Sequence, residues 1–204
     1  MARNNRQLHV FDSASRLVLV ALTVCLAGCR VPTDAQTDAA SPQAEAESTE
    51  TPLPATVELQ ILDFDGIEKL LASHHGKVVV MDAWSTSCEP CVREFPNLVA
   101  LSKKYPADKL ACVSLSFDYY GGETPDELAP AIREFLQGQG ATFDNILSST
   151  PDNELYKKLD LSAIPAVFVY HRDGSLARRF DNEADGEFTY DDIEPFVATL
   201  IEQP

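Results

Sequence analysis

The sequence predicts an α/β sandwich in which parallel strands joined by helices are followed by one antiparallel hairpin. Strand-like and helical segments alternate from residue 57 onward in the order βαβαβαβαββα. A helix between two strands indicates a parallel pair, because the chain must cross the sheet to return in the same direction. The Asp173-Gly174 pair predicts a tight hairpin, and therefore an antiparallel edge, near the C-terminus.

Hydrophobic periodicity predicts the first elements. Residues 57–61 alternate apolar and polar side chains as in a half-buried strand, whereas the apolar run 77–83 is typical of a fully buried one. Between them, apolar residues recur at helical spacing over 67–71, and Gly76 is expected to close that helix. The same reasoning predicts helices over 88–104, 125–137 and 153–159 and strands over 110–116 and 143–147.

The C-terminal third completes the pattern. A strand is predicted over 164–170 with Pro165 at its start, where a proline removes no hydrogen bond from the middle of a sheet. The return strand of the hairpin covers 175–180. The last helix is expected to begin between residues 189 and 192, because Pro195 is tolerated in a first turn and poorly in an interior.

The N-terminal 28 residues are typical of an export signal. Three arginines precede Leu17–Ala27, an apolar run of 11 residues that is broken only by Thr23. A membrane-spanning helix needs about 20 residues, so this run is too short to cross a bilayer. The run ends in Leu26-Ala27-Gly28-Cys29, which resembles the bacterial lipoprotein motif and implies that Cys29 is lipidated and becomes the new N-terminus. An ordinary signal peptide cut nearby and an uncleaved short anchor are the alternatives.

The segment that follows the signal is expected to be a disordered tether. Between residues 30 and 56, Val31 and Leu53 are the large aliphatic residues and aromatic residues are absent, so this segment cannot bury enough surface to fold. We therefore divide the chain into a signal peptide (1–28), a tether (29–56) and a folded domain (57–204).

Charge and cysteine usage limit the function classes. The formal net charge of −16 disfavours nucleic acid and anionic lipid as partners of the folded domain. The five cysteines, at positions 25, 29, 88, 91 and 112, make no even disulfide framework and indicate a reactive rather than a structural use. We expect no cofactor and no metal, because the histidines stand at no familiar zinc-ligand spacing from the cysteines.

The strongest chemical signal is a pair of cysteines separated by two residues. Cys88 and Cys91 lie where the buried strand 77–83 passes into a helix, and such a pair transfers electrons through a reversible disulfide. A helix N-terminus favours the thiolate, so Cys88 is the predicted nucleophile and Cys91, one turn later, the resolving cysteine. A permanent disulfide is the structural alternative.

These residues resemble the TlpA/ResA-type exported thiol-disulfide oxidoreductases of the thioredoxin-like superfamily. The resemblance covers about 57–202 and rests on Val80–Leu98, on Ala163–Val169 and on the Asp173-Gly174 hairpin. It implies a three-layer α/β/α sandwich with a central mixed sheet, in which residues 119–145 supply an inserted strand-helix element.

The resemblance also implies roles for four further residues. Asp82 would relay the proton of the second cysteine, since burial raises the pKa of a carboxyl group toward neutrality. Pro165 would be a cis proline opposite the disulfide and leave the preceding backbone, at Ile164, free to pair with an extended substrate. Trp84 is expected beneath the site and is assigned with Ile164 and Pro165 to substrate binding. A solvated strand-end acid, a trans proline and simple core burial are the respective alternatives.

Three other positions refine the site. Glu89, between the cysteines, is expected to raise the thiol pKa of Cys88 and to favour reductase behaviour, unless it is only a solvated charge. Ser87 stands where the resembled family usually has a bulky residue, which implies a smaller docking surface. Cys112 is flanked by apolar residues in a strand and is expected to be an inert core residue.

The sequence therefore predicts a lipid-anchored thiol-disulfide oxidoreductase on the extracytoplasmic side of a bacterial membrane. Its expected partners are disulfide-containing exported proteins such as apocytochromes, and a membrane electron donor that recharges it. A metal- or protein-binding module that handles Cu(I) through the cysteines is the alternative. A thiol peroxidase using Thr86-Ser87-Cys88 is a weaker one, because the proline and arginine context of those enzymes is missing.

Overall fold

Strands and helices alternate along residues 56–203, the part of the chain that this computed structural model describes. The predicted signal peptide, Cys29 and nearly all of the predicted tether lie outside the described residues. The elements are β1 (Gln60–Leu62), α1 (Phe64–Ser73), β2 (Val78–Trp84), α2 (Glu89–Lys104), β3 (Leu110–Ser116), α3 (Pro125–Gln139), β4 (Asp144–Ser148), α4 (Asp152–Lys158), β5 (Ala166–Tyr170), β6 (Leu176–Asp181) and α5 (Tyr190–Glu202).

The strands form one six-stranded mixed sheet in the order β1-β4-β3-β2-β5-β6. The pairs on the β1 side of β2 are parallel, whereas β2 pairs antiparallel with β5 and β5 with β6. Strand β4 lies between β1 and β3, and the predicted insertion over 119–145 contains α3 and only the first two residues of β4. The hairpin turns at Gly174, whose φ of 84° suits a residue without a side chain. The predicted α/β fold with a mixed sheet is confirmed.

The helices cover both faces of the sheet. Side chains of α2, α3 and α5 pack on one face and side chains of α1 and α4 on the other. Strand β2 alternates between the two faces, with Val78 and Val80 in the first core and Val79 and Met81 in the second. This alternation turns Asp82 toward the face that carries α2 and α5.

Most predicted boundaries differ from the structure by three residues or fewer, and three predictions differ for clear reasons. Strand β1 starts at Gln60 because pairing with β4 starts there. Helix α1 ends at Ser73, and Gly76 with φ 96° belongs to the turn beyond it. Helix α5 starts within the predicted window, but Pro195 is its sixth residue, so the first-turn placement is wrong. A reciprocal capping box between Thr189 and Asp192 fixes the start instead.

None of the helices within residues 56–203 combines the length and apolar character needed to cross a membrane.

Candidate active site

The two cysteines stand at the first turn of α2. Cys88 is the N-cap of this helix, and the backbone N–H of Cys91 donates to its Sγ at 3.3 Å. Pro90 occupies a first-turn position, where its missing N–H leaves no helical hydrogen bond unmade. Cys88 and Cys91 form a disulfide with their Cα atoms 5.3 Å apart. The local sequence therefore produces the predicted junction of buried strand, redox pair and helix.

The two sulfur-bearing residues differ in their access to solvent. Cys88 is half-buried, whereas Cys91 is only 3% exposed and belongs to the core. An incoming disulfide can therefore reach Cys88 and not Cys91. When reduced, Cys88 would also lie at a helix N-terminus, where the unpaired N–H groups and the helix dipole favour a thiolate. Both facts suit Cys88 as nucleophile and Cys91 as resolving cysteine.

Asp82 is a buried carboxylic acid in the central strand. It is 4% exposed, and the hydroxyl of Tyr190 donates to its Oδ2 at 2.6 Å. Burial raises the pKa of Asp82 to about 7, the hydrogen bond from Tyr190 opposes that rise, and the charge of Glu94 adds to it. A carboxyl group with such a pKa can take and release a proton near neutral pH.

A cavity of about 300 Å³ brings the buried groups together. Asp82, Cys91, Pro165 and Tyr190 all line it, so the predicted proton relay and the resolving cysteine share one space. The remaining lining residues are Pro90, Arg93, Glu94, Val167, Asn182, Gly186, Glu187, Phe188 and Thr189. A cavity of about 380 Å³ on the opposite face, between α1 and the end of β5, contains neither cysteine. The cavity of about 300 Å³ is therefore the one that belongs to the site, because it contains Cys91 and Asp82.

The peptide bond between Ile164 and Pro165 is cis, as predicted. Pro165 lines the cavity beside Cys91, and both Ile164 and Pro165 are half-buried. A substrate backbone can therefore approach this turn from outside.

Trp84 takes a different place from the one expected for a substrate contact. Its side chain is fully buried and packs against Phe95 and Phe135, with ring centroids 4.8 Å apart in both pairs. Alternation along β2 turns it into the core, so it supports the site from beneath and presents no surface to a substrate. Among residues 56–203, its Nε1 finds no hydrogen-bond partner.

The structure places two other predicted residues, Glu89 on the surface and Cys112 in the core. The Glu89 side chain is 92% exposed, with Arg93 at 4.0 Å as its nearest cation, so water screens its charge and its influence on Cys88 stays a prediction. Cys112 is a buried free cysteine, and burial, with the charge of Asp82, raises its pKa to about 12. Such a thiol stays protonated and inert, which agrees with the sequence-based interpretation.

The loop before Cys88 is held by residues that the sequence-based predictions did not include. The buried carboxylate of Asp118 accepts from the backbone N–H of Thr86 at 2.9 Å and from its Oγ1 at 2.6 Å. Ser116 also donates to Asp118, at 2.7 Å. The parallel strands β2 and β3 end side by side, with Trp84 opposite Ser116. Polar residues just after both strand ends were therefore the signal available in the sequence.

An exposed tyrosine stands beside the nucleophile. Tyr120 is 59% exposed, and its hydroxyl lies 2.9 Å from Oγ of Ser87, the residue before Cys88. Ser87 also lies 3.1 Å from Oγ of Ser85. An aromatic ring from the loop after β3 thus stands next to the small residue that the sequence places before the first cysteine.

Comparison with known proteins agrees with this geometry. A family model described as "Thioredoxin-like" matches residues 76–176. The chain is 25% identical over 116 residues to thiol-disulfide oxidoreductase ResA of Bacillus subtilis, a match that covers 57% of this chain and 59% of that protein. It is 24% identical over 140 residues to ResA of Bacillus thuringiensis, covering 69% and 73%.

The fold also matches solved structures. The crystal structure of a thiol-disulfide isomerase from Corynebacterium glutamicum superposes with a TM-score of 0.54 at 18% identity, covering 74% of this chain and 98% of that one. At this identity the match concerns the fold alone.

The raised pKa of Asp82 predicts a pH-dependent stability. The ionised side chain is disfavoured in the folded protein and not in the unfolded chain, so the free energy of unfolding should fall as pH rises from about 4 to about 7. In Asp82→Asn this fall should disappear, and above pH 7 the variant should be more stable than the parent by up to about 4 kcal/mol.

Urea unfolding of the oxidised protein between pH 4 and pH 9 measures this difference. The exposed Asp108→Asn is the matched control and should follow the parent at every pH. Parallel pH profiles for the parent and Asp82→Asn would contradict the assignment.

Proposed function

The chain is a thioredoxin-like protein of the TlpA/ResA type, and on that premise we propose that it is a thiol-disulfide oxidoreductase that reduces disulfides in exported proteins. The observation that carries the proposal is the asymmetry of the site. A reachable Cys88 caps α2, while the buried Cys91 shares a cavity with Asp82. This arrangement provides an attacking sulfur, a resolving sulfur and a proton acceptor in one place.

Reduction begins from the dithiol form. The thiolate of Cys88 attacks one sulfur of the substrate disulfide, and a new S–S bond forms as the substrate bond breaks. The second substrate sulfur leaves as a thiolate and takes a proton from solvent. The product of this step is a mixed disulfide between Cys88 and the substrate.

Resolution requires the buried cysteine to lose a proton. The Asp82 carboxylate accepts the proton of Cys91, directly or through water, which a cavity of about 300 Å³ has room to hold. The Cys91 thiolate then attacks Sγ of Cys88, closes the internal disulfide and releases, as a thiolate, the substrate sulfur that Cys88 had bound. Two electrons have passed from the protein dithiol to the substrate.

Each turnover leaves the protein oxidised, so a donor has to return two electrons. An exported protein meets an oxidising compartment, in which Cys88 and Cys91 would otherwise rest as a disulfide. We therefore assign the electron supply to a membrane-bound thiol donor. Lipidation of Cys29 and a tether over residues 29–56 would keep the folded domain near that donor, on the extracytoplasmic side of the bacterial envelope.

Substrate docking is assigned to the surface around Cys88. The exposed ring of Tyr120 lies on one side, through its contact with Ser87, and the half-buried Ile164-Pro165 turn lies near the cysteines on the cavity side. The turn offers free backbone to an extended chain, while the ring offers apolar area. This surface suits a protein segment that carries an apolar side chain next to its disulfide.

The activity is tested by reduction of insulin with a dithiol as the electron source. Cys88→Ser should lower turnover to the background rate, and Cys91→Ser should accumulate a mixed disulfide because the resolving step is lost. Cys112→Ser is the matched control and should turn over like the parent, since the buried Cys112 thiol stays protonated and no disulfide can reach it.

A redox titration complements the assay, and the midpoint potential of the Cys88/Cys91 pair is expected between about −120 and −300 mV. Full turnover in Cys88→Ser would refute the proposal. Stoichiometric Cu(I) binding without turnover would favour the metal-handling alternative.

If substrates dock on the ring of Tyr120, its removal should weaken binding of a protein disulfide and not of a small disulfide. In Tyr120→Ala, KM for a protein disulfide should rise about fivefold, the factor that about 1 kcal/mol represents, with kcat unchanged. The rate with a small disulfide such as oxidised glutathione should not change. Tyr120→Phe keeps the ring and should behave like the parent. An equal loss with both substrates would instead indicate disturbance of the loop before Cys88.

If Cys29 is lipidated, it should be the N-terminal residue of the mature protein. Mass spectrometry of the protein purified from its native cells should show a diacylglyceryl adduct at Cys29, and the Cys29→Ser variant should lack it and lose its membrane association. An unmodified N-terminus at another residue would contradict the assignment.

A further inference from the structure

Tyr190 is the first residue of α5 and reaches the cavity behind the disulfide. The Thr189–Asp192 capping box fixes the start of this helix, so the position of the ring is set by the fold. The side chain is buried in the same core as Trp84 and Cys91. Its hydroxyl donates to Oδ2 of Asp82 at 2.6 Å across 108 residues of sequence.

We propose that Tyr190 is a positioning residue for the redox reaction, because its hydroxyl orients the buried Asp82 carboxyl group and stabilises its ionised form. The ionised carboxylate is the form that can accept the proton of Cys91. This inference rests on the proposed function and assigns the control of its proton-transfer step to the last helix of the domain.

Tyr190 is the residue near Asp82 that can orient the carboxyl group and stabilise its ionised form. Within residues 56–203, the Tyr190 hydroxyl is the side-chain donor to this carboxylate. On β3, the neighbouring Ser114 donates instead to Asn145 at 2.8 Å. On β5, the neighbouring residue is the apolar Val167.

The charged and titratable groups around Asp82 mostly oppose its ionisation. Glu94 on α2 raises the pKa of Asp82 by its charge, while Cys112 on β3 and the Cys91 thiol are neutral when protonated. Arg93 and Glu187 line the same cavity, with 56% and 90% of their side chains exposed, so water screens both charges. The hydrogen bond from Tyr190 is thus the main local support for the carboxylate.

Tyr190 remains a donor at every pH at which the protein works. Burial, together with the charge of Asp82, raises the pKa of Tyr190 well above its usual value, so the hydroxyl keeps its proton. A donor that never loses its proton stabilises the ionised carboxylate and does not compete for the proton of Cys91. A hydrogen bond to a charged group is also stronger than one to a neutral group.

The direct test is the titration of Asp82 in the oxidised protein by carboxyl ¹³C NMR, with the resonance assigned by its loss in Asp82→Asn. In Tyr190→Phe, which keeps the ring, the pKa of Asp82 should rise by about one unit because the donor to the ionised form is gone. Tyr156→Phe removes a hydroxyl from the opposite face and should leave the titration unchanged.

The kinetic test is the rate of resolution of a trapped mixed disulfide between pH 6 and pH 9. A shift of the Asp82 pKa from about 7 to about 8 should slow Tyr190→Phe about fivefold at pH 7 and hardly at all at pH 9. In Asp82→Asn, addition of Tyr190→Phe should cause no further shift of the profile, because the group that it acts on is absent.

An unchanged Asp82 titration in Tyr190→Phe would overturn the inference, and so would an equal rate loss at every pH, the result of a purely structural role. The NMR measurement needs no turnover. If the protein reduced no disulfide while the Asp82 pKa still moved, the proposed function would fail and the control of Asp82 by Tyr190 would stand.

Discussion

The burial of the Asp82 carboxyl group is the constraint around which this site is built. An ionisable group in the central strand costs free energy whenever it is charged, and here burial is the largest cause of its raised pKa. Two features limit this cost, namely the hydroxyl of Tyr190 and the cavity shared with Cys91. The same cost sets the pKa of the carboxyl group near neutral pH, which proton transfer requires. The protein therefore loses folding stability at the residue that its reaction needs.

The topology of the sheet explains why these groups meet. Strand β2 lies between β3 and β5, and its C-terminal end leads directly into the loop that carries Cys88. The parallel neighbour β3 ends at the same edge and delivers Asp118 to hold Thr86. The antiparallel neighbour β5 begins at that edge and delivers Pro165. Each side of β2 therefore supplies one support for the redox pair.

A feature of the site could be predicted from the sequence when the residues that produce it are neighbours along the chain. The strand-helix junction, the position of Cys88 near a helix N-terminus and the hairpin at Gly174 follow from neighbouring residues, and they agree with the structure. Tyr190 and Asp118 could not be assigned in this way, because their partners Asp82 and Thr86 lie 108 and 32 residues away. Trp84 shows a different limit, since it was expected beneath the site and assigned to substrate binding, whereas strand alternation leaves its side chain fully in the core.

The reduced and oxidised forms of this site should differ in their electrostatics. A Cys91 thiolate and an Asp82 carboxylate facing one cavity repel each other, so the two groups resist being ionised together. In the disulfide form no sulfur titrates, and this repulsion is absent. By linkage, wherever Cys91 is ionised in the dithiol form, ionisation of Asp82 favours the oxidised protein, and formation of the disulfide favours ionised Asp82. Because the dithiol is then the less favoured form, ionised Asp82 strengthens the tendency of the pair to give up electrons.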